Sequence, residues 1–486
     1  MRTIMMDNTV AILWLRRDLR ISDNPAMSEA FNANQSVIPV YIHDDGAKNA
    51  PIGAAAWWLH GSLSALSKTL SALGQPLILR RGDERETLHN LIEEIGASAV
   101  YWNRRYDPNS IEIDRILKSE LSERGLDVRT YNATLTREPW EVKTGSDSHY
   151  RVFTPFWRTV RKIGPARTEQ PPLTKKNIRL PLTNIATDAL NDWTLLPTKP
   201  NWASEFPKHW TPGEAGAHDR LMEFLDNGIN LYKDKRDHPD IDATSRLSAH
   251  LAFGEISPIT IWNRTEAARA HGKISDDDAD KFLAEVGWRD FSYNLLYHYP
   301  DLPQTPLKSE FKNYPWQDDP QKIALWQRGQ TGYPIVDAGM RQLWRTGWMH
   351  NRIRMVAASF LVKDICANWT HGREWFHETL VDHDAASNAA SWQWVAGCGA
   401  DAAPFFRIFN PVTQSEKFDK DGAYIRRFVP ELADMPAKYI HAPWRAPDDV
   451  LAAAGVELGK TYPEPMLNHK NARDFALDAY KKIRAA

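Results

Sequence analysis

Val10–Leu15 reads VAILWL and runs straight into Arg16-Arg17-Asp18-Leu19-Arg20. Six apolar residues ahead of a charged turn read as a strand buried on both faces. Outward from it, residues 36–42 (SVIPVYI), 76–80, 98–102 (SAVYW) and, more weakly, 127–131 repeat the strand signal. Helical periodicity fills the intervals at 57–73, 84–95 and 110–124, the last two followed by Gly96 and Gly125 as stops. This alternation predicts an α/β N-terminal domain with a Rossmann-like parallel sheet over residues 1–135. The loop after the first strand is neither a GxGxxG fingerprint nor a P-loop, so a standard dinucleotide site has no support.

Residues 136–202 change character. They hold eight prolines, at 139, 155, 165, 171, 172, 181, 197 and 200. Proline interrupts regular hydrogen bonding, so 136–205 is expected to be a connector laid over the surface. Beyond it the pattern is helical, which predicts a large all-α C-terminal domain over 206–486. Thr211-Pro212-Gly213-Glu214 reads as a capping box with proline at the first helical position, and Gly228 as the stop. Long helices are expected at 279–297, 334–346, 351–368 and 384–396, and an amphipathic one at 472–483. Thirteen of the 20 tryptophans and 12 of the 16 histidines follow residue 200, so the chemistry is expected there.

Composition narrows the class. The 486 residues are 42% hydrophobic and 25% charged, which excludes collagen-like, coiled-coil and wholly disordered chains. Mean hydropathy is −0.52, and no apolar run is long enough to span a bilayer. Residues 1–10 show no secretory signal. Two cysteines, Cys366 and Cys398, cannot make a disulfide framework or a four-thiolate cluster. A cytoplasmic protein without a membrane partner is expected. The net charge of −2 argues against a uniformly basic nucleic-acid coater but permits a local basic patch. Twenty tryptophans require a large core, stacking platforms or electron-transfer chemistry.

Four segments could carry chemistry. Thr244-Ser245-Arg246-Leu247-Ser248 precedes a short helical run and suits a diphosphate, or is an ordinary N-cap with a surface arginine. Glu285, Trp288 and Ser292 share one helix face, where a carboxyl beside an indole could hold a flat heteroaromatic ring; a half-buried helix with a snorkelling glutamate reads the same way. Residues 339–363 carry Arg341, Arg345, Arg352, Arg354 and Lys363 with no acid, interleaved with aromatics. That suits a nucleic-acid surface, and equally a core helix with a solvated basic face. Asp384, Asn388 and Trp392 fall in one helical stripe after Asp382 and could face a flavin edge, or simply cap a helix start. Asp382-His383-Asp384 do not converge on one ion, so no metal is expected.

These residues resemble the photolyase/cryptochrome family over nearly the whole chain, and most closely its bacterial cyclobutane pyrimidine dimer photolyases. The opening LWLRRDLR with Asp23-Asn24 resembles that family's first strand and loop. Thr331-Gly332-Tyr333-Pro334-Ile335-Val336-Asp337-Ala338 is similar to its TG(Y/F)P-VDA motif, and Gly347-Trp348-Met349-His350-Asn351-Arg352-Ile353-Arg354-Met355 to the segment that follows. Trp392-Gln393-Trp394, Asp401-Ala402-Ala403-Pro404 and Arg407-Ile408-Phe409-Asn410-Pro411 continue it.

The resemblance implies FAD in the helical domain. Tyr232 and Thr244, Ser245, Arg246, Leu247 and Ser248 match its adenine and phosphate contacts. Arg354, Asp382 and Asp384 match polar groups around the flavin ring and ribityl chain, and Asn388 the residue facing flavin N5. An amide there bonds the flavin without titrating. UV-damaged DNA carrying a pyrimidine dimer is the implied partner of a likewise implied monomer. Glu285 matches the acid on the dimer bases, Trp288 and Trp394 the apolar wedge, and Asn351, Arg352 and Met355 the pocket wall. Arg236, Arg352, Arg407 and Gln414 match DNA-strand contacts, which fits extrusion of a poorly stacked dinucleotide. Trp316, Trp369 and Trp392 match an electron relay from surface to flavin. The implied activity is a carbon–carbon lyase: an electron from photoexcited reduced FAD splits the cyclobutane ring and returns.

An antenna chromophore is also implied. The Asn-Glu pair of familiar folate-binding photolyases is Asn109-Ser110 here. Trp57-Trp58-Leu59-His60 and Trp102-Asn103-Arg104-Arg105-Tyr106-Asp107-Pro108 look more like the class III subgroup related to plant cryptochromes. Methenyltetrahydrofolate is favoured over deazaflavin, with Trp57 as its stacking residue or, alternatively, plain core. A signalling cryptochrome is the competing activity, opposed by Asn388. A (6-4) photolyase normally has a histidine pair where this chain has His350-Asn351.

Overall fold

The computed structural model describes residues 9–179, 184–401 and 406–485. Residues 1–8, Pro181 and the Ala402-Ala403-Pro404 part of the motif lie outside the described residues. The first strand is β1, Val10–Leu15, followed by β2 (Ser36–His43), β3 (Ile78–Arg81), β4 (Ala99–Asn103) and β5 (Asp127–Tyr131). All pair in parallel in the order β3-β2-β1-β4-β5. Helices α1 (Pro25–Ala33), α2 (Gly53–Leu73), α3 (Glu84–Ile95) and α4 (Pro108–Glu123) make the crossovers.

The period of two sends Ala11, Leu13 and Leu15 to one core, with α1 and α2. Ile12 and Trp14 face a second core, with α3 and α4. That is why VAILWL is apolar throughout.

The connector is less irregular than its prolines suggest. It contains α5, Phe153–Ile163, whose buried Phe153, Phe156 and Val160 pack against a later helix. Proline at 155 falls in the first turn of α5, where its missing N–H breaks no helical bond.

The remainder is helical: α6 (Glu214–Glu223), α7 (Tyr232–Lys235), α8 (Ser248–Ala252), α9 (Pro258–Ala270), α10 (Asp276–His298), α11 (Pro320–Arg328), α12 (Pro334–Thr346) and α13 (Asn351–Ser359). Then come α14 (Trp369–Thr379), α15 (Ala385–Ala396), α16 (Pro411–Phe418), α17 (Ala423–Phe428), α18 (Ala437–Ile440), α19 (Asp448–Ala453) and α20 (His469–Ala485). Among the described residues, no helix is long and apolar enough to cross a membrane. Both cysteines are buried and unpaired with each other.

Two helix readings are corrected. The 351–368 helix ends at Ser359, passes through a π turn (Phe360–Asp364) and stops at Cys366, whose φ is +64°. The Thr211–Glu214 capping box does not form. Gly213 is the N-cap, without a side-chain bond, and Glu214 is the first helical residue. Its carboxylate instead accepts from the backbone N–H groups of Ile21 and Ser22, at 2.7 and 2.9 Å.

That contact belongs to a seam between the sheet region and the helices. The charged turn after β1 carries most of it. Leu19 N–H donates to the Phe253 carbonyl, Arg17 to that of Ala252 and Arg20 to that of Gly254. Gly254 has φ +66°, and a Cβ there would overlap the Arg17 carbonyl. Buried Asp23 binds Arg167, Ser257 Oγ and the Gln170 N–H. The carboxyl ends of β1 and β4, where a nucleotide would sit in an open α/β sheet, hold a closed polar network. Arg16 pairs with Asp114 at 3.1 Å and donates to the Asn103 carbonyl, while the Asn103 amide donates to Asp18 and Asn24.

Candidate active site

A cavity of about 570 Å³ opens among α7, α8, α10, α13, α14 and α15. That volume is in the range of small-molecule sites. Six cationic side chains line it (Lys233, Arg236, Lys281, Arg289, Arg352, Arg354) against four carboxylates (Asp237, Glu285, Asp382, Asp384). The surplus of cations favours anionic groups.

The flavin-type residues are brought together. Tyr232, Ser245, Leu247, Ser248, Arg354, Asp382, Asp384 and Asn388 all line the cavity. Thr244 and Arg246 are not among the lining residues. Arg246 pairs with Asp242 at 3.2 Å, and its guanidinium lies 5.5 Å from the Trp348 ring. The 244–245 turn is braced from behind, where Arg220 donates to the carbonyls of Thr244 and Ser245, each at 2.9 Å.

Arg354 donates to Asp382 Oδ2 at 2.7 Å, while Asp382 Oδ1 is buried without a partner. A buried acceptor left open on a cavity wall needs a donor. The imide N–H of an isoalloxazine supplies one, so these residues fit FAD. Asp384 is the N-cap of α15 rather than part of its stripe: Oδ1 accepts from Ser387 N–H, and Oδ2 from the Tyr293 hydroxyl at 2.5 Å. Asn388 Nδ2 donates to the Arg373 carbonyl at 3.0 Å. Trp392 also lines the cavity, and its indole N–H is buried without a partner.

The substrate-type residues share the same space. Glu285, Trp288, Arg236, Asn351, Arg352, Met355 and Trp394 line it. Glu285 pairs with Arg236 and, at 3.1 Å, with Lys281 one turn earlier. Arg352 pairs with Asp237 at 2.5 Å. Burial opposes the charge on Arg236, but Tyr232 and Glu285 outweigh it and hold the guanidinium above its ordinary range. Trp288 stacks on Phe153 of α5, centroids 3.8 Å apart, and Trp394 donates to the Asp401 carbonyl. Arg407 is exposed and Gln414 half-buried, and neither lines the cavity.

Phe153, Lys281, Asp237 and Tyr293 were not anticipated. Lys281 was legible as the i−4 partner of Glu285. Phe153 carried no signal, because its contact crosses 135 residues.

The basic run at 339–363 is not one solvated face. Arg341 pairs with Glu431, Arg345 with Glu205, Arg352 with Asp237 and Arg354 with Asp382. Lys363 is buried, donating to the Arg407 carbonyl.

Trp316 is half-buried, and Trp369 and Trp392 are buried. Gly372 of α14, one turn after Trp369, lies against the Trp392 ring. The loop after Trp316 bonds the start of α14: Gln317 N–H donates to the Cys366 carbonyl, and Asp318 accepts from Asn368 N–H. Among the described residues, ring contacts do not join the three directly. Trp392 meets Trp326 and Phe376, and Trp316 meets Tyr314. Trp57 is half-buried, edge-on to Phe206 and Trp58.

The comparisons agree with this geometry. Residues 11–174 match the family described as DNA photolyase, and residues 282–482 match the FAD binding domain of DNA photolyase. The chain belongs to the photolyase/cryptochrome family, and its helical part is an FAD-binding domain. Within that family it is 50% identical to a deoxyribodipyrimidine photo-lyase of Agrobacterium fabrum, over 97% of this chain and 98% of that one. It superposes on the crystal structure of a class III photolyase from Agrobacterium tumefaciens with a TM-score of 0.95, at 48% identity and full coverage of both chains. Cryptochrome-1 of Arabidopsis thaliana is 35% identical over 95% of this chain and 69% of its own.

Proposed function

We propose that this protein is a light-driven deoxyribodipyrimidine photo-lyase that restores cyclobutane pyrimidine dimers in DNA to monomers. The observation that carries the reading is that one cavity is lined both by Arg354, Asp382 and Asn388 and by Glu285, Trp288 and Trp394. A cofactor and an extruded pyrimidine dimer can therefore meet in a single space.

FAD bound there, when reduced and excited by blue light, supplies the electron that opens the cyclobutane ring and recovers it afterwards. The side chains bind and orient. Asp382 Oδ1, open toward the cavity, would accept a hydrogen bond from the flavin, and Arg354 fixes that carboxylate in place. Ser245, Ser248 and Arg236 supply polar and cationic groups for the diphosphate and the strand. Glu285 meets the hydrogen-bonding edges of the dimer, aligned by Arg236 and Lys281. Trp288, backed by Phe153, and Trp394 form the apolar wall against which the dimer packs. Arg352, Arg407 and Gln414 are read as strand contacts, and Trp316, Trp369 and Trp392 as the route by which oxidised flavin is reduced. The protein is read as a monomer with a folate antenna stacked at Trp57. Trp57→Ala should abolish the antenna absorbance while FAD is retained.

The test is direct. Reduced protein is mixed with an oligonucleotide containing one thymine dimer and illuminated with blue light, and the nucleobase absorbance is followed. Light-dependent recovery is expected. No recovery by protein with bound FAD would overturn the assignment.

A further inference from the structure

His383 stands between Asp382 and Asp384, ahead of α15, and lines the cavity. It is 7% exposed, and its ring stacks on His377 of α14 with centroids 4.1 Å apart. Its Nδ1 lies 3.5 Å from Asn388 Nδ2, the same nitrogen that donates to the Arg373 carbonyl. A backbone carbonyl only accepts, so the Asn388 group that faces it is the NH₂. His383 Nδ1 then meets a donor and must itself be the acceptor, with the ring proton on Nε2. Both amide hydrogens are thereby turned toward protein, and Oδ1 is the Asn388 atom left for a ligand.

We propose that His383 is a positioning residue: as a neutral Nε2–H imidazole, it holds the Asn388 amide so that Oδ1 is presented to the bound flavin. This rests on reading the cavity as a flavin site. The surroundings agree. Burial first, then the His377 ring and the Arg17 and Arg373 cations, hold the His383 imidazole well below its ordinary range. The flanking carboxylates are engaged elsewhere, Asp382 with Arg354 and Asp384 with Tyr293 and Ser387. A protonated ring would turn Nδ1 into a donor and repel the amide NH₂. The chain thus places a titratable residue beside Asn388 and keeps it from titrating.

The experiment uses the full-length, FAD-loaded protein. His383→Leu removes the acceptor. Photoreduced FAD should then reoxidise in air about five-fold faster, the factor of one neutral hydrogen bond, at an unchanged ratio of flavin to protein absorbance. His383→Gln, whose Oε1 can accept, should return the rate toward that of the unmodified protein. In an Asn388→Ala background, His383→Leu should add nothing. An unchanged reoxidation rate in His383→Leu with FAD retained would overturn the proposal. Should His383→Leu lose FAD or fail to fold, ¹⁵N-histidine NMR of the unmodified protein decides. The resonances lost in His383→Gln should show a pyridine-like Nδ1 and a pyrrole-like Nε2, and a protonated Nδ1 would overturn the assignment. Failure of the unmodified protein to take up FAD would instead overturn the flavin reading beneath it.

Discussion

Glu285 shows what a residue type and spacing can reveal and what they cannot. Its face-sharing with Trp288 follows from helical period alone. Its pairing with Arg236 requires the fold, since the two are 49 positions apart. Glu285→Ala removes a carboxylate from the wall proposed to meet the dimer and leaves the groups around Asp382 in place. Repair should therefore fall about 15-fold, the lower end of the range for a hydrogen bond to a charged group, while bound FAD is unchanged. Photorepair and the flavin-to-protein absorbance ratio, measured on one preparation, separate the two. Asp290, five positions on, is fully buried, and its Oδ2 accepts from Thr136 N–H where the connector begins. Burial pushes its carboxyl up to about 7. Unfolded, it titrates near 3.9. The folded protein therefore holds an extra proton between about pH 4 and 7, so this contribution is fully present below about pH 4 and lost as pH rises through about 7. Urea midpoints of Asp290→Asn should lack that component, and a slope equal to that of the unmodified protein would contradict it.

At the scale of elements, glycine and charge acquire meanings that local pattern does not show. Gly372 lets α14 approach α15, since a Cβ at 372 would run into the Trp392 indole. Gly372→Ala should cost about 1–3 kcal/mol, as overpacked sites do, and loosen FAD because Trp392 lines the cavity. Thermal melts with and without added FAD read both effects. Helices 84–95 and 334–346 were legible end to end, because apolar spacing and a closing glycine agree. The 351–368 helix was not, because the π turn at Phe360 has no sequence mark. The basic run at 339–363 misled for a related reason. Its partners Glu431, Glu205, Asp237 and Asp382 come from other segments, so unbroken positive sequence became a set of ion pairs. Glu214 likewise left its expected cap for the backbone of Ile21 and Ser22, a longer-range use of the same acceptor.

Over the whole molecule, the charged turn after β1 joins sheet to helices, and Trp316, Trp369 and Trp392, proposed as the relay, lie on segments that touch only after folding. Trp316→Phe should slow photoreduction of oxidised FAD while leaving repair by chemically reduced protein nearly intact. Equal loss of both would remove Trp316 from the route. The alternating strands and helices, the helical C-terminal half and the face shared by Glu285 and Trp288 were determined by sequence alone. Backbone periodicity and apolar burial are local properties, and the side-chain order records them. The tertiary structure alone decided that α5 backs Trp288, that the basic run is mostly neutralised, and that the stacked His377 and His383 rings lie beside the Asn388 amide. The first two depend on groups tens to more than a hundred residues apart meeting at hydrogen-bond or stacking distance, and the third on the path of the chain between α14 and α15. Spacing along a chain carries no record of that until the cores on both sides of the sheet and around the cavity have packed.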